Sequence, residues 1–346
     1  MSKVEEELRA AFERHEALVP DPAPVRDRID FAWVRVKRRR ARQRVIGAAA
    51  AVLLAGVGLP IAVRGWGHGE PPAGEVTAAV GSAAPVTGPV DVLLIGSDLR
   101  LGEASARADT VMLLHVPADR GAAWMVSLPR DGIVDIPGHG TDKLNKTLTL
   151  GGPRLTAQTV TRLTGIEPDA AVVVDLTALS AVTEAVGGVT MCLHGTIPPA
   201  FGRKGFPAGC HHIGGDDVTP LLRARIGLPN GSYDRDENAQ KFLRALTGKL
   251  TAGGAVDPAQ LRRLLAAARD GVRIDGDLAG LLRVVEALGR PEVIGIREPS
   301  FASRASGEEI YPIVGKSLYQ AIRDDRLEEW ATANPRLVSR QPAGQR

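Results

Sequence analysis

Aromatic side chains are scarce in this chain: Phe, Trp and Tyr make up 4% of 346 residues. A core built from this composition must be mainly aliphatic. Formal charge is close to balanced, at +3, which argues against a dedicated nucleic-acid binder, whose surface needs a strong basic stripe. No internal repeat period is visible, so solenoid architectures are set aside. Only two cysteines occur. A zinc site would want more ligands, and the adjacent His211 and His212 cannot easily share one tetrahedral metal with Cys210. The length accommodates one large or two small domains with appendages.

What is present is concentrated between Asp91 and Asp131. Three short apolar runs, Val92–Ile95, Val111–Val116 and Trp124–Leu128, are bounded by Gly, Pro, Asp or Ser. That is the pattern of buried strands in a sheet covered on both faces. Charges gather at their ends: Asp98 and Arg100, then Arg107 and Asp109, then Arg130 and Asp131. Carboxylates suit Mg2+ and guanidinium forks suit phosphate oxygens. Ordinary surface ion pairing at loop ends accounts for the same residues equally simply.

Upstream, residues 1–44 read as a cytoplasmic tail. Ser2 is placed to cap a helix over Lys3–Ala17, which the prolines at 20, 22 and 24 end. A basic run, Arg35 to Arg44, precedes the uncharged segment Val45–Val63. About 19 residues cover roughly the 30 Å hydrocarbon core of a bilayer. The arginines before it outnumber the single Arg64 after it, so the N-terminus stays cytoplasmic and the remainder is exported. A cleavable signal peptide and a buried soluble helix are the rival readings; the long basic tail favours an uncleaved anchor. Residues 64–89, rich in Gly, Ala, Pro, Val and Ser, read as a flexible linker.

The globular domain is expected over residues 90–338. Strand Ile133–Ile136 leads into a turn, and Lys143-Leu144-Asn145 opens a helix to about Gly151. Pro153–Thr164 and Leu176–Val186 read as helices, Ala171–Val174 and Val189–Leu193 as strands. Such alternation argues an α/β layer fold. If the domain is exported, the pair Cys192 and Cys210 favours a disulfide over two free thiols. It would close a loop of about 18 residues, worth roughly 3 kcal/mol.

A second charged cluster follows. Leu221–Ile226 reads as a strand or a helix end carrying Arg223 and Arg225; on a strand, their spacing of two puts both on one face. A helix from about Asp234 has Phe242, Leu243, Leu246 and Leu250 as its apolar face. Further on, Pro258–Ala267 and Leu278–Leu288 read as helices, Glu292–Arg297 as a strand, and Lys316–Ile322 and Leu327–Ala333 as helices. Ser339–Arg346 reads as a disordered tail.

The ordered set IGSDLR, RADTVM, SLPRD, KLN, RAR and Gln240 resembles the LytR-CpsA-Psr family over roughly Val90 to Leu250. The resemblance implies a membrane-anchored, three-layer α/β/α extracytoplasmic domain with a central mixed sheet. It implies binding of a polyprenyl-pyrophosphate-linked glycan and transfer of the glycan phosphate to peptidoglycan at the cell membrane. Carried over position by position, Asp98 and Asp109 would hold Mg2+. Arg107, Arg130, Arg223 and Arg225 would clamp the phosphates, with Lys143, Arg235 and Gln240 contributing to the pyrophosphate site, and Asp131 could orient the acceptor hydroxyl. Membrane lipid is an implied partner and nucleic acid is not. In DRDENAQKF, Glu237 and Lys241 stand where relatives would be expected to carry Arg and Gln. A carboxylate there would repel phosphates unless it pointed away or paired with Arg235. A non-catalytic scaffold that binds lipid pyrophosphates is the alternative; transcriptional attenuation fits poorly with an exported domain lacking a DNA-reading motif.

Overall fold

A computed structural model describes residues 87–97, 107–251, 264, 266–268, 271–276, 292–297, 300–303 and 307–339. The expected tail helix, apolar segment 45–63, the linker up to residue 86, Asp98 and the helix at 278–288 lie outside the described residues. Among the described residues no helix is long and apolar enough to cross a membrane.

The first three strands are β1 (Val90–Ser97), β2 (Ala108–Val116) and β3 (Ala122–Leu128). They form an antiparallel meander with Leu93 opposite Leu113 and Leu113 opposite Val126. β4 (Ile133–Ile136) and β5 (Gly140–Lys143) make a small hairpin. A 3-10 turn at Leu144–Lys146 leads into α1 (Thr147–Thr164), which breaks at Gly151 and Gly152 before Pro153. The helix expected to open at Lys143 therefore starts later, because Gly140–Lys143 pairs as a strand.

β6 (Ala170–Asp175) runs parallel to β1. Asp175 then caps α2 (Leu176–Ala185) by accepting from the Ala178 N–H at 2.6 Å. β7 (Val189–Leu193) pairs with β8 (Gly209–Ile213), a strand the hydrophobic pattern did not announce. Their register sets Cys192 opposite Cys210, and the two form a disulfide. α3 (Gly215–Leu222) and α4 (Ser232–Thr251) follow. Arg223 is the C-cap of α3, so the strand reading of Leu221–Ile226 is corrected to its alternative, a helix end. Leu264, within the helix expected at Pro258–Ala267, and Ala268, just past it, are buried in the core.

The chain continues through β9 (Val272–Gly276), β10 (Glu292–Arg297), the hairpin β11 (Ser300–Ser303) and β12 (Gly307–Ile310), α5 (Val314–Arg323), α6 (Leu327–Ala333) and β13 (Val338–Ser339). Ser339 was expected in the disordered tail. It instead pairs with Gly295, and its carbonyl accepts from Arg244 Nη2 at 2.7 Å.

Seven strands form one mixed sheet in the order β13-β10-β3-β2-β1-β6-β9. Strand alternation sends Val92, Met112 and Met125 to one face and Leu93, Leu113 and Val126 to the other. The first face packs on α2, α3 and α4 through Leu179, Val218, Phe242 and Leu246. The second packs on α1, α5 and α6 through Leu155, Val160, Leu318 and Trp330. The result is three layers around a central mixed sheet. Because both faces are covered, the central strands are continuous apolar runs, and their charged ends emerge where the strands stop.

Candidate active site

The charged start of β2 and end of β3 meet at one end of the central strands. Arg107 precedes β2, Asp109 is its second residue, and Arg130 and Asp131 follow β3 after Pro129. Backbone contacts fix the Arg130 segment: the Asn145 N–H donates to the Arg130 carbonyl at 2.9 Å, and the Glu308 N–H donates to the Asp131 carbonyl at 3.0 Å. The end of α3 brings in Arg223, the loop beyond it Arg225, and the first turn of α4 Arg235.

These residues border a cavity of about 500 Å3. Arg107, Arg130, Arg223, Arg225 and Arg235 line it, joined by Arg203 and Lys204 from the loop between β7 and β8; among the described residues Asp109 is the single lining carboxylate. Among the described residues, seven cations against one anion give the cavity an excess of positive charge suited to an anion. The rest of the wall is apolar, with Ile197, Pro198, Phe201, Leu222 and Ile226 prominent. Ile197 and Leu222 belong to the core, whereas Phe201 and Ile226 are exposed. The volume lies in the range of small-ligand pockets.

Arg130 Nη1 donates to Asp109 Oδ1, and Arg223 Nε lies 3.5 Å from Asp109 Oδ2. Arg130 Nε is buried with no hydrogen-bond partner; its nearest carboxylate oxygen, Asp131 Oδ2, is 4.0 Å away. Arg235 is 1% exposed and donates through Nε and Nη2 to Asp236 Oδ1, at 3.0 and 2.6 Å, while Nη1 has no hydrogen-bond partner. Buried donors left open in this way are costly unless a ligand completes them. Burial pushes the Arg130 guanidinium below its ordinary value; Asp109 opposes that push and the positive charge of Arg235 adds to it.

Several expected residues sit elsewhere. Asp131 does not line the cavity. Its Oδ2 accepts from Arg225 Nη2 at 2.7 Å, and its Oδ1 accepts from Asn145 Nδ2 at 3.1 Å and Lys143 Nζ at 3.4 Å. Burial works to raise this carboxyl, but Arg130, Arg225 and Lys143 outweigh it and hold it below the usual carboxylate range. Both of its oxygens are thus engaged, one of them by Arg225. Lys143 is likewise directed to Asp131 and lies outside the lining.

Gln240 also departs from expectation. Its amide Nε2 lies within hydrogen-bond reach of the Met125 carbonyl, Ser127 Oγ and the Ile296 carbonyl, at 3.2, 2.8 and 2.9 Å. It ties α4 to the parallel pair β3 and β10, outside the cavity lining. Gly295 leaves the room: a Cβ there would stand 2.1 Å from Gln240 Oε1. Glu237 pairs with Lys241 at 2.7 Å, with His194 Nδ1 3.5 Å away. Neither Glu237 nor Lys241 lines the cavity, so the substituted motif positions do not set a carboxylate on the cavity wall.

The sequence reading missed Asn145, Arg203, Lys204 and Asp236. Asn145 stands inside the quoted KLN motif and Asp236 directly beside Arg235, so both carried a local signal; Arg203 and Lys204 reach the cavity only through the tertiary fold.

The site's capacity for Mg2+ rests on Asp109. Its Oδ2 is buried without a hydrogen bond, and Mg2+ is commonly held by one or two carboxylates together with substrate phosphates. Among the described residues no cluster of three or more His, Cys, Asp or Glu could hold a metal. Asp109 therefore fits a metal shared with a ligand; the other expected carboxylate, Asp98, lies outside the described residues.

Known proteins share this architecture. The solved structure of TagT bound to LI-WTA superposes with a TM-score of 0.57 at 21% identity, covering 70% of this chain and 93% of that one. B. subtilis TagU gives 0.55 at 18%, covering 69% and 97%. In sequence, the probable cell wall biosynthesis protein LcpB of Corynebacterium glutamicum is 31% identical over 225 residues, 61% of this chain and 53% of the relative. The polyisoprenyl-teichoic acid–peptidoglycan teichoic acid transferase TagU of Bacillus subtilis is 29% identical over 162 residues, 46% and 52%. The chain thus spans about half the length of the curated relatives it matches. Residues 72–328 match the LytR_cpsA_psr family, a stretch that takes in six of the seven sheet strands, helices α1 to α5 and the cavity-lining arginines, and the chain belongs to that family.

Proposed function

We propose that the protein transfers a glycan phosphate from a polyprenyl-pyrophosphate-linked donor to a peptidoglycan hydroxyl, anchored at the cell membrane by the apolar segment 45–63 with its domain outside. The observation that carries this reading is the pair of buried, unpartnered guanidinium donors, Arg130 Nε and Arg235 Nη1, on residues that line a cavity whose wall is part cationic and part apolar. Cationic donors beside a hydrophobic wall suit an amphiphile with an anionic head and a hydrocarbon tail. The names of the TagU relatives describe such a donor and acceptor.

In phosphoryl transfer, catalysis is mainly positioning and charge neutralisation. Arg130 and Arg235 would receive the pyrophosphate oxygens in a buried, preorganised pocket. Arg107, Arg223 and Arg225 would neutralise charge nearer its mouth, with Asp131 and Lys143 holding Arg225 in place. Asp109, with Asp98, would hold Mg2+, which when bound neutralises pyrophosphate charge and favours departure of the lipid phosphate. The apolar wall excludes water from the reacting phosphate, favouring a sugar hydroxyl over hydrolysis.

The test is affinity for a polyprenyl pyrophosphate followed by transfer of lipid-linked glycan onto peptidoglycan. Arg130→Ala and Arg235→Ala should each remove a charge-assisted contact worth roughly 1.5–3 kcal/mol. Unchanged affinity in both would place the ligand elsewhere. Tight binding with no transfer by the unaltered protein would instead favour a lipid-pyrophosphate-binding scaffold.

A further inference from the structure

We propose that Asp236 is a positioning residue: it grips one edge of the Arg235 guanidinium so that the opposite nitrogen is presented to a pyrophosphate oxygen. The inference rests on the function proposed above and names a residue that the motif reading passed over.

A guanidinium is a rigid planar fork of five N–H donors. Asp236 Oδ1 takes Nε at 3.0 Å and Nη2 at 2.6 Å, which locks the plane and leaves Nη1 without a hydrogen-bond partner on a residue that lines the cavity. Both side chains are buried, at 1% and 7% exposure. A buried pair of this kind is a weak source of stability, because desolvation offsets much of the attraction. Its use is clearer at a binding site. Arg235 faces the like charge of Arg130, and without a counter-charge it would have reason to swing away from it. Asp236 supplies that charge from the side of the fork that no ligand needs. The long arginine side chain is then already ordered, so less rotamer freedom is lost when a ligand binds. The neighbouring carboxylate cannot serve: Glu237 lies about 100° further round α4 and pairs with Lys241.

The experiment uses the full chain in detergent and farnesyl pyrophosphate as the probe, with affinity read by calorimetry for the unaltered protein, Arg235→Ala, Asp236→Asn and the double variant. Arg235→Ala should weaken binding about thirtyfold and Asp236→Asn about tenfold. If Asp236 acts through Arg235, the double variant should bind within about twofold of Arg235→Ala alone. An Asp236→Asn loss that persists undiminished in the Arg235→Ala background would mark a general structural role and overturn the proposal, as would wild-type affinity in Asp236→Asn. Weakening by Arg235→Ala with none by Asp236→Asn would sink this inference and leave the proposed function standing; no binding by the unaltered protein would remove both. Arginine-selective 15N NMR on the unaltered protein requires no variant. Arg235 should show two distinct, slowly exchanging Nη signals before ligand is added, with pyrophosphate shifting Nη1. Free rotation in the unliganded protein would overturn the proposal.

Discussion

Raising the pH through 9 should destabilise the domain through one side chain, His115. Its ring is buried in β2, with Nδ1 2.9 Å from Asp91 Oδ1 and Nε2 3.0 Å from Asp325 Oδ1. Only the imidazolium donates from both nitrogens. Burial opposes that charge, but hydrogen bonds and attraction to Asp325 and Asp91 outweigh it and raise the pKa from 6.5 to about 9. The folded state therefore holds the proton more tightly than the unfolded chain. The stabilisation is complete below pH 6.5 and is lost as pH rises through about 9. That displacement corresponds to roughly 3 kcal/mol, enough to matter in a domain whose net stability is about 5–15 kcal/mol. The partner carboxylate behaves oppositely. The His115 hydrogen bond is the largest cause holding Asp325 below its ordinary 3.8, so that contribution is present above this pH and fades in acid. Urea unfolding of the full chain at pH 6 and pH 9.5, for the unaltered protein and His115→Gln, isolates the effect. The unaltered protein should lose about 3 kcal/mol across the window, and the variant, which has nothing to titrate there, should lose far less. Parallel stability curves for the two proteins would refute the reasoning.

Three further outcomes are expected. Asp109→Asn keeps an acceptor for Arg130 but removes a negative charge; at about 6 Å and an effective dielectric near 20 that is roughly 3 kcal/mol before screening. Metal-free pyrophosphate affinity should therefore rise severalfold while Mg2+-supported transfer falls, and equal change in both would count against a shared metal. Gln240→Ala should leave farnesyl pyrophosphate affinity within about twofold but lower Tm by roughly 5 °C, because buried acceptors on β3 and β10 lose their donor; a selective loss of affinity would return Gln240 to the ligand. Glu237→Arg should leave single-turnover transfer within about twofold, since Glu237 faces Lys241 and His194; a tenfold acceleration would show that this carboxylate is felt at the phosphates.

The central strands were legible because both faces of the sheet are covered. Strands β1, β2 and β3 must then be apolar along nearly their whole length, and short aliphatic runs ending in Gly, Pro and charge can be read directly. The same holds for α4, where Phe242, Leu246 and Leu250 recur at helical spacing and are all buried. Peripheral strands were not legible. Gly140–Lys143 and Gly209–Ile213 are largely exposed and carry no hydrophobic alternation. They are strands because β4 and β7 lie beside them, and β13 is two residues that exist as a strand through β10.

By itself the sequence determined which residue types would gather at the strand ends, since a two-sided apolar sheet can keep charges only where its strands stop. Only the tertiary structure decided which of these groups face the ligand cavity. Asp236 meets Arg235 while Glu237 turns to Lys241, and Asp131 is spent on Arg225 while Asp109 lines the wall. The physical reason is directional: one residue along a helix rotates a side chain by about 100°, and one along a strand reverses its face. Whether that direction meets an arginine, solvent or a neighbouring strand depends on where the three layers pack.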